Sequence, residues 1–206
     1  MSKSKQIYSY TASKLEYLKS IAGTGAGKKM MANLRHGVGK KTGELPELWG
    51  IVFHQIPDEL VGTNEASYAE NAIYTALTLY ALHQQGKDIK ENNMNQKYPD
   101  DNQEKSNETK KYMSLGRAAA KLIKHEDDTE RILNRLHLVV TAVSPEDLAY
   151  HLRGIIQLLR QESISLDYAK LAVDLYQFYY EDAAETVKLR WGRDFWNERY
   201  HQANKN

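Results

Sequence analysis

The chain has 206 residues, with 28 Lys or Arg, 27 Asp or Glu, a net charge of +1 and no cysteine. This length buries a sizeable core without disulfides, and the absent thiols exclude thiolate metal sites and cysteine nucleophiles. Because the charges nearly balance, an acidic partner must be bound by cations segregated onto one face. No apolar run is long enough for a signal peptide or a bilayer span, so we expect a cytoplasmic protein without membrane contact.

Apolar residues recur at the helical period along the chain, and Gly and Pro separate the segments, which predicts an all-α protein. We expect a helical bundle of about eight helices in two packed lobes. The N-terminal lobe, residues 1–86, should contain helices over 9–22, from 26 to His36 and over 47–56. A long fourth helix should begin after Asn64 as N-cap and be closed by Gly86.

Residues 87–112 are polar and densely charged, with few apolar side chains to offset the entropy of ordering. We therefore predict a flexible polar loop there. Residues 113–206 should form a C-terminal helical bundle that starts near Ser114. Within it, Ser144 as N-cap and Pro145 at the first helical position are a compact helix-start signal.

The glycine-rich stretch "IAGTGAGKKM", residues 21–30, has the general look of a phosphate-binding loop. Such a loop needs a preceding strand and a Ser or Thr after its Lys. Here Leu15, Leu18 and Ile21 follow a helical period, and Lys29 occupies the hydroxyl position. We expect no nucleotide site, no cofactor and no small-molecule substrate, and we interpret the two lysines as the start of a basic amphipathic helix.

Basic residues form stripes on several predicted helices. On the second helix, one arc carries the cations and the opposite arc carries Met30, Met31, Leu34 and Val38; the cationic arc consists of Lys28, Lys29, Arg35 and His36. A second stripe contains Arg117 and Lys121, followed by Lys124, and a third contains Arg153 and Arg160. Cations presented without partner carboxylates fit phosphate oxygens, although an ordinary solvated helix face has the same appearance.

Two further groups of arginines have acids nearby in sequence. Arg131 and Arg135 share one helix face, but Asp127 and Asp128 precede them at pairing distance. Arg190 and Arg193 lie in "KLRWGRDFW", with Asp194 four residues after Arg190. Intrahelical ion pairs are therefore the alternative to a binding role for both groups.

We find no pattern typical of catalysis or metal binding. The motif "HEDD", residues 125–128, gathers a His and three acids, but acids in the first turn of a helix are the ordinary explanation. The chain contains neither HExxH nor a nucleophile elbow. We expect a non-enzymatic protein without a bound metal.

An ordered series of segments resembles the CasB family, the small subunit of the type I-E CRISPR surveillance complex Cascade. The segments are "MANLRHGVGKKTGELPELW", "AIYTALTLYALHQQG", "SLGRAAAKL", the stretch from "ERILNRLHLVV" through "LDYAKLAVDLYQF", and "VKLRWGRDFW". They span about residues 24 to 196 in the family's order. The resemblance treats residues 1–206 as a single unit of this family.

The resemblance implies an all-α, non-catalytic subunit that contacts guide-RNA-bearing subunits, a second copy of itself, and the target and displaced DNA strands. The positions that match the family's basic residues are Arg35, Arg117, Arg131, Arg135, Arg153 and Arg160, with His36 at a position where a second Arg is often found. Arg190 and Arg193 match a segment that could serve folding, subunit contacts or nucleic acid. The alternative function is a free-standing helical DNA-binding regulator, and that alternative predicts sequence-specific binding by a symmetric dimer.

Overall fold

The structure is a computed structural model that describes residues 1–96 and 113–203. The described residues form nine α-helices: α1 Lys3–Ser20, α2 Gly25–His36, α3 Trp49–Phe53, α4 Tyr68–His83, α5 Leu115–Lys121, α6 Asp128–Val140, α7 Pro145–Glu162, α8 Tyr168–Gln177 and α9 Glu181–Ala203. Two short 3-10 helices, Pro46–Leu48 and Asp58–Leu60, flank α3. The all-α prediction is confirmed, and no helix in these ranges is long and apolar enough to cross a membrane.

Local capping explains where the helices begin. Ser144 caps α7 as predicted, because its Oγ accepts the Asp147 N–H at 3.1 Å. The predicted Asn64 cap of α4 is wrong, since Ser67 and Glu70 form a capping box three residues later. The first helix starts at Lys3 rather than at residue 9, because Ser2 caps it and Ile7 is fully buried.

Helix α8 lies at the centre of the core. It packs against α1 and α4, while α7 lies on α4 and on α6, and α9 packs along α5. The apolar cluster is continuous from α1 to α9, so helices from residues 1–86 and 113–203 share one core. Tyr168 of α8 and Trp191 of α9 are among its largest fully buried side chains.

The first part of the predicted polar loop, residues 87–96, is held against the core. Ile89 and Met94 are buried, and the Gln84 side chain bonds the backbone of the same segment: Nε2 donates to Asn92 O at 2.9 Å and Oε1 accepts from Met94 N at 2.8 Å. Leu166 exchanges two 3.0 Å backbone hydrogen bonds with Met94 and Gln96. The polar composition of this segment predicted a flexible loop, but its two buried apolar side chains are enough to anchor it. The rest of the predicted loop, 97–112, lies outside the described residues.

A buried carboxylate joins α8 to α9. Asp174 is only 2% exposed, and it accepts hydrogen bonds from Trp191 Nε1 at 2.9 Å, from Lys170 Nζ at 2.7 Å and from Arg190 Nη2. A buried charge needs such partners to offset its desolvation. The network therefore fixes the position of α9 on α8.

Helices α5 and α9 cross at Gly116. A Cβ on this glycine would lie far inside van der Waals contact with the backbone carbonyl of Trp191. Backbone cannot yield as a flexible side chain can, so the crossing requires glycine.

We expect Gly116→Ala to destabilise the protein by at least about 2 kcal/mol because α5 must move off α9. Gly192→Ala, in the same helix pair, is the matched control: nothing lies within 4 Å of its Cβ, and alanine favours a helix. Urea unfolding of both variants tests this. Equal stabilities would show that the α5–α9 crossing is not tight.

The ionisation of Asp167 should make the free energy of unfolding depend on pH. It caps α8 through a 2.8 Å bond from Lys170 N, its Oδ2 has no hydrogen-bond partner among the described residues, and burial raises its pKa to about 7. The unfolded pKa is about 3.9, so the folded state retains this proton more tightly and the associated stability is lost as the pH rises to about 7.

Asp167→Asn keeps the cap and removes the ionisation. We expect its stability relative to the wild type to rise by roughly 4 kcal/mol between pH 4 and pH 8, because the folded pKa of about 7 lies far above the unfolded pKa of about 3.9. Urea unfolding at the two pH values measures the difference between the proteins. A difference that does not change with pH would contradict the assignment.

Candidate nucleic-acid interface

A cleft of about 340 Å³ lies between α2 and the turn that follows α4. We call it the basic cleft, because it is lined by the cations Lys28, Arg35, Lys87 and Lys90. Asp88 is the one acid among its described lining residues. Asp88 Oδ1 accepts the backbone N–H of Lys90 at 2.7 Å, and the four cations outnumber this one carboxylate. The cleft therefore presents cations to a ligand.

The sequence of α2 places two of these cations. Thr24 caps the helix by accepting the Gly27 N–H at 2.9 Å, and a Cβ on Gly27 would collide with the backbone carbonyl of Ile21. The glycine-rich stretch is thus a tight helix start rather than a phosphate loop. Met31 and Leu34 are buried on the inner face, which leaves Lys28 exposed and Arg35 half-buried at the cleft.

Lys87 and Lys90 were missed by the sequence reasoning because they fall in the segment assigned to a loop. The Gln84 side chain positions this segment by bonding Lys87 O at 3.2 Å as well as Asn92 O. Gly86, with φ of +83°, turns the chain after α4. The available signal was a glycine at a helix end followed directly by lysines, with buried Ile89 between them.

Helix α7 adds Arg160 beside the basic cleft. Arg160 Nη1 donates to Gln85 Oε1 at 2.7 Å, and Lys87 Nζ donates to Ser163 Oγ at 2.7 Å. Gln85 and Lys87 both line the cleft. The structure thus brings together the predicted residues Lys28, Arg35 and Arg160, which lie on two helices distant in sequence.

A second cationic surface lies where α6 packs on α7. The guanidinium of Arg135 covers Gly154, with Nη1 3.5 Å from the position that a Cβ would occupy. Arg153, the neighbour of Gly154, is exposed, and so is Tyr150 at 72%. Arg131, one turn before Arg135, is paired with Asp128 at 2.7 Å, and this bond lowers the pKa of Asp128 to about 2. Arg131 therefore forms the intrahelical ion pair that was the alternative to a binding role.

The stripe on α5 differs from the expectation that its cations lack partner carboxylates. Arg117 lies 3.4 Å from Asp194 and Lys121 lies 3.5 Å from Glu198, both on α9, and Lys124 pairs with Glu162 on α7. The expectation was wrong because these acids are distant in sequence. Arg117 is also largely buried, with 15% of its side chain exposed.

The remaining predicted residues occupy separate positions. Lys29 and His36 are exposed on α2 but are not among the residues that line the basic cleft. Arg190 points inward to Asp174. Arg193 is exposed on α9 and lines a shallow groove with Leu189 and Trp196.

The motif "HEDD" forms the turn that leads into α6, and the first turn of that helix carries the acids Asp128 and Glu130. Asp128 Oδ2 accepts the backbone N–H groups of Lys124 and His125 at 3.3 and 3.2 Å, at the start of α6. Across residues 1–96 and 113–203, no group of three His, Asp or Glu is arranged to hold a metal ion.

Comparison with known proteins identifies the family. The sequence model of CRISPR-associated protein Cse2 matches residues 30–196, and this chain therefore belongs to the Cse2 family. The resemblance to CasB seen in the sequence is confirmed. No curated protein matches the chain in sequence.

Solved structures support the same fold. The chain is similar to CasB from Thermobifida fusca, with 28% identity, a TM-score of 0.71, and coverage of 92% of this chain and 97% of that one. CasB from M. ruber matches at 21% identity and a TM-score of 0.67, covering 96% and 98%. A chain of a CRISPR RNA-guided surveillance complex matches at 18% identity and a TM-score of 0.66, covering 97% and 98%.

The pairing of Arg117 predicts that it supports folding. We expect Arg117→Ala to cost about 2 kcal/mol of stability, because it leaves the buried Asp194 without this partner. Arg153→Ala removes an exposed charge and should change stability by less than about 0.5 kcal/mol. Thermal unfolding of the two variants measures the difference, and equal midpoints would contradict the structural role of Arg117.

Proposed function

We propose that this protein is a non-catalytic small subunit of a type I-E CRISPR surveillance complex in the cytoplasm. In this role it binds phosphates of the target and displaced DNA strands and so stabilises the R-loop. Its partners are the guide-RNA-bearing subunits and a second copy of itself. Family membership supports the complex, and the basic cleft is the observation that supports phosphate binding.

The cleft suits a phosphodiester backbone on electrostatic grounds. Four cations from two chain segments line one concave surface together with a single described acid, so the cations are in excess. Phosphate contacts of this kind need no base recognition. Exchanging a DNA duplex for a guide heteroduplex is nearly balanced in free energy, so a few such contacts can tip the exchange.

Arg135 and Arg153 form a second proposed phosphate contact. Both are exposed, and the guanidinium of Arg135 on α6 reaches Gly154, the neighbour of Arg153 on α7. Arg160, beside the basic cleft, lies two turns along α7 from Arg153. Arg117 and Lys121, by contrast, contribute mainly through their ion pairs with α9, and we assign them no primary phosphate contact.

The test uses the assembled complex with the double variant Arg35→Gln, Lys90→Gln. Glutamine keeps much of each side-chain stem and removes the charge. Each lost phosphate contact lowers the salt slope of binding by about one, so we expect weaker R-loop formation with a slope reduced by about two. Electrophoretic R-loop assays over a KCl series measure both quantities.

The matched control is Lys5→Gln, Lys188→Gln, which removes the same charge from residues on α1 and α9 that do not line the cleft. It should retain the wild-type slope. The mass and RNA content of each purified complex show whether assembly is intact. An unchanged slope in an intact complex of the cleft variant would overturn the phosphate-binding role, and failure of the wild-type chain to copurify with RNA would overturn the subunit role.

A further inference from the structure

A second cleft, of about 280 Å³, is lined by aromatic side chains rather than by a cluster of cations. Tyr68 comes from the start of α4, and Tyr176 and Tyr180 come from the end of α8 and the turn before α9. Leu60 and Val61 close another side. We call it the tyrosine cleft.

The rings of the tyrosine cleft hold one another in place. Tyr68 stacks on Tyr179 with centroids 4.1 Å apart, and Tyr180 meets Tyr68 edge-on at 5.9 Å. The hydroxyls of Tyr176 and Tyr180 are 3.2 Å apart and share a hydrogen bond. Tyr68 and Tyr180 are nonetheless 49% and 45% exposed. The cleft therefore offers ring surface that is already ordered, at little further entropic cost.

The tyrosine cleft lacks the excess of cations that lines the basic cleft. Glu59 lines the tyrosine cleft, and Lys3 is the one cation among its described lining residues. Glu181 and Asp182 follow Tyr180 directly, in the first turn of α9. Burial and the nearby Glu146 together raise the pKa of the Tyr179 phenol to about 12. A phosphate backbone would meet the Glu59 carboxylate with no cluster of cations to bind it, whereas a cation would be attracted by Glu59 and by the faces of the rings.

We propose that the tyrosine cleft docks a partner polypeptide by taking up one of its arginine or lysine side chains. The cation lies against the faces of Tyr68 and Tyr180, and the Glu59 carboxylate pairs with it. This contact is between proteins and is separate from the phosphate contacts of the basic cleft, so neither depends on the other.

The test uses the full chain with ¹³C-labelled tyrosine rings, and the probe is an acetylated Gly-Arg-Gly-Arg-Gly amide. We expect saturable shifts of the Tyr68 and Tyr180 ring signals. Tyr180→Phe keeps the ring and should bind within about twofold of the wild type, whereas Tyr180→Leu and Glu59→Gln should each weaken binding by about three- to tenfold. Thermal unfolding of each variant verifies that it is folded.

Two probes of opposite charge separate the classes of partner. The glutamate analogue of the peptide and a ten-residue oligothymidine should leave the ring signals unchanged. Absence of shifts with the arginine peptide, or equal affinity in the folded Glu59→Gln variant, would overturn the proposal. Shifts produced by the oligonucleotide would reassign the cleft to single-stranded nucleic acid.

Discussion

The structure depends on the buried carboxylate of Asp174. A charge that is only 2% exposed is costly unless it is fully paired, and its three donors come from both α8 and α9. The pairing determines where α9 lies on α8. It also places the backbone carbonyl of Trp191, against which Gly116 lets α5 pack. One acid near the centre of the core thus orders α5, α8 and α9 relative to one another.

The need of buried charges for partners of opposite charge also divides the basic residues into two groups. Arg117, Lys121 and Arg190 find carboxylates on another helix and contribute to packing. Arg35, Lys90 and Arg153 are not paired with acids within the described part of the chain, and the first two line the basic cleft. A net charge near zero therefore conceals two kinds of cation: some are neutralised by acids on another helix, and others have no acidic partner within the described residues.

Features that depend on residues close in sequence could be predicted, and features that depend on residues distant in sequence could not. The α7 cap at Ser144 involves residues three apart, so local pattern was sufficient to place it. The partner of Asp194 could not be found this way: local spacing suggested Arg190, but the fold supplies Arg117 from a distant helix. Capping itself can be ambiguous locally, since Asn64 and Ser67 are both acceptable caps and only Ser67 has Glu70 at the reciprocal position.

The Gln84 side chain holds the segment that carries two of the four cations of the basic cleft. This neutral side chain sets the path of the backbone from Lys87 to Met94, and with it the spacing between lysines on that segment and the cations of α2. Replacing Gln84 by another neutral residue leaves the net charge at +1 and keeps every cation in the sequence. Such a substitution can therefore disrupt the basic cleft although a comparison of the charged residues alone would show no difference.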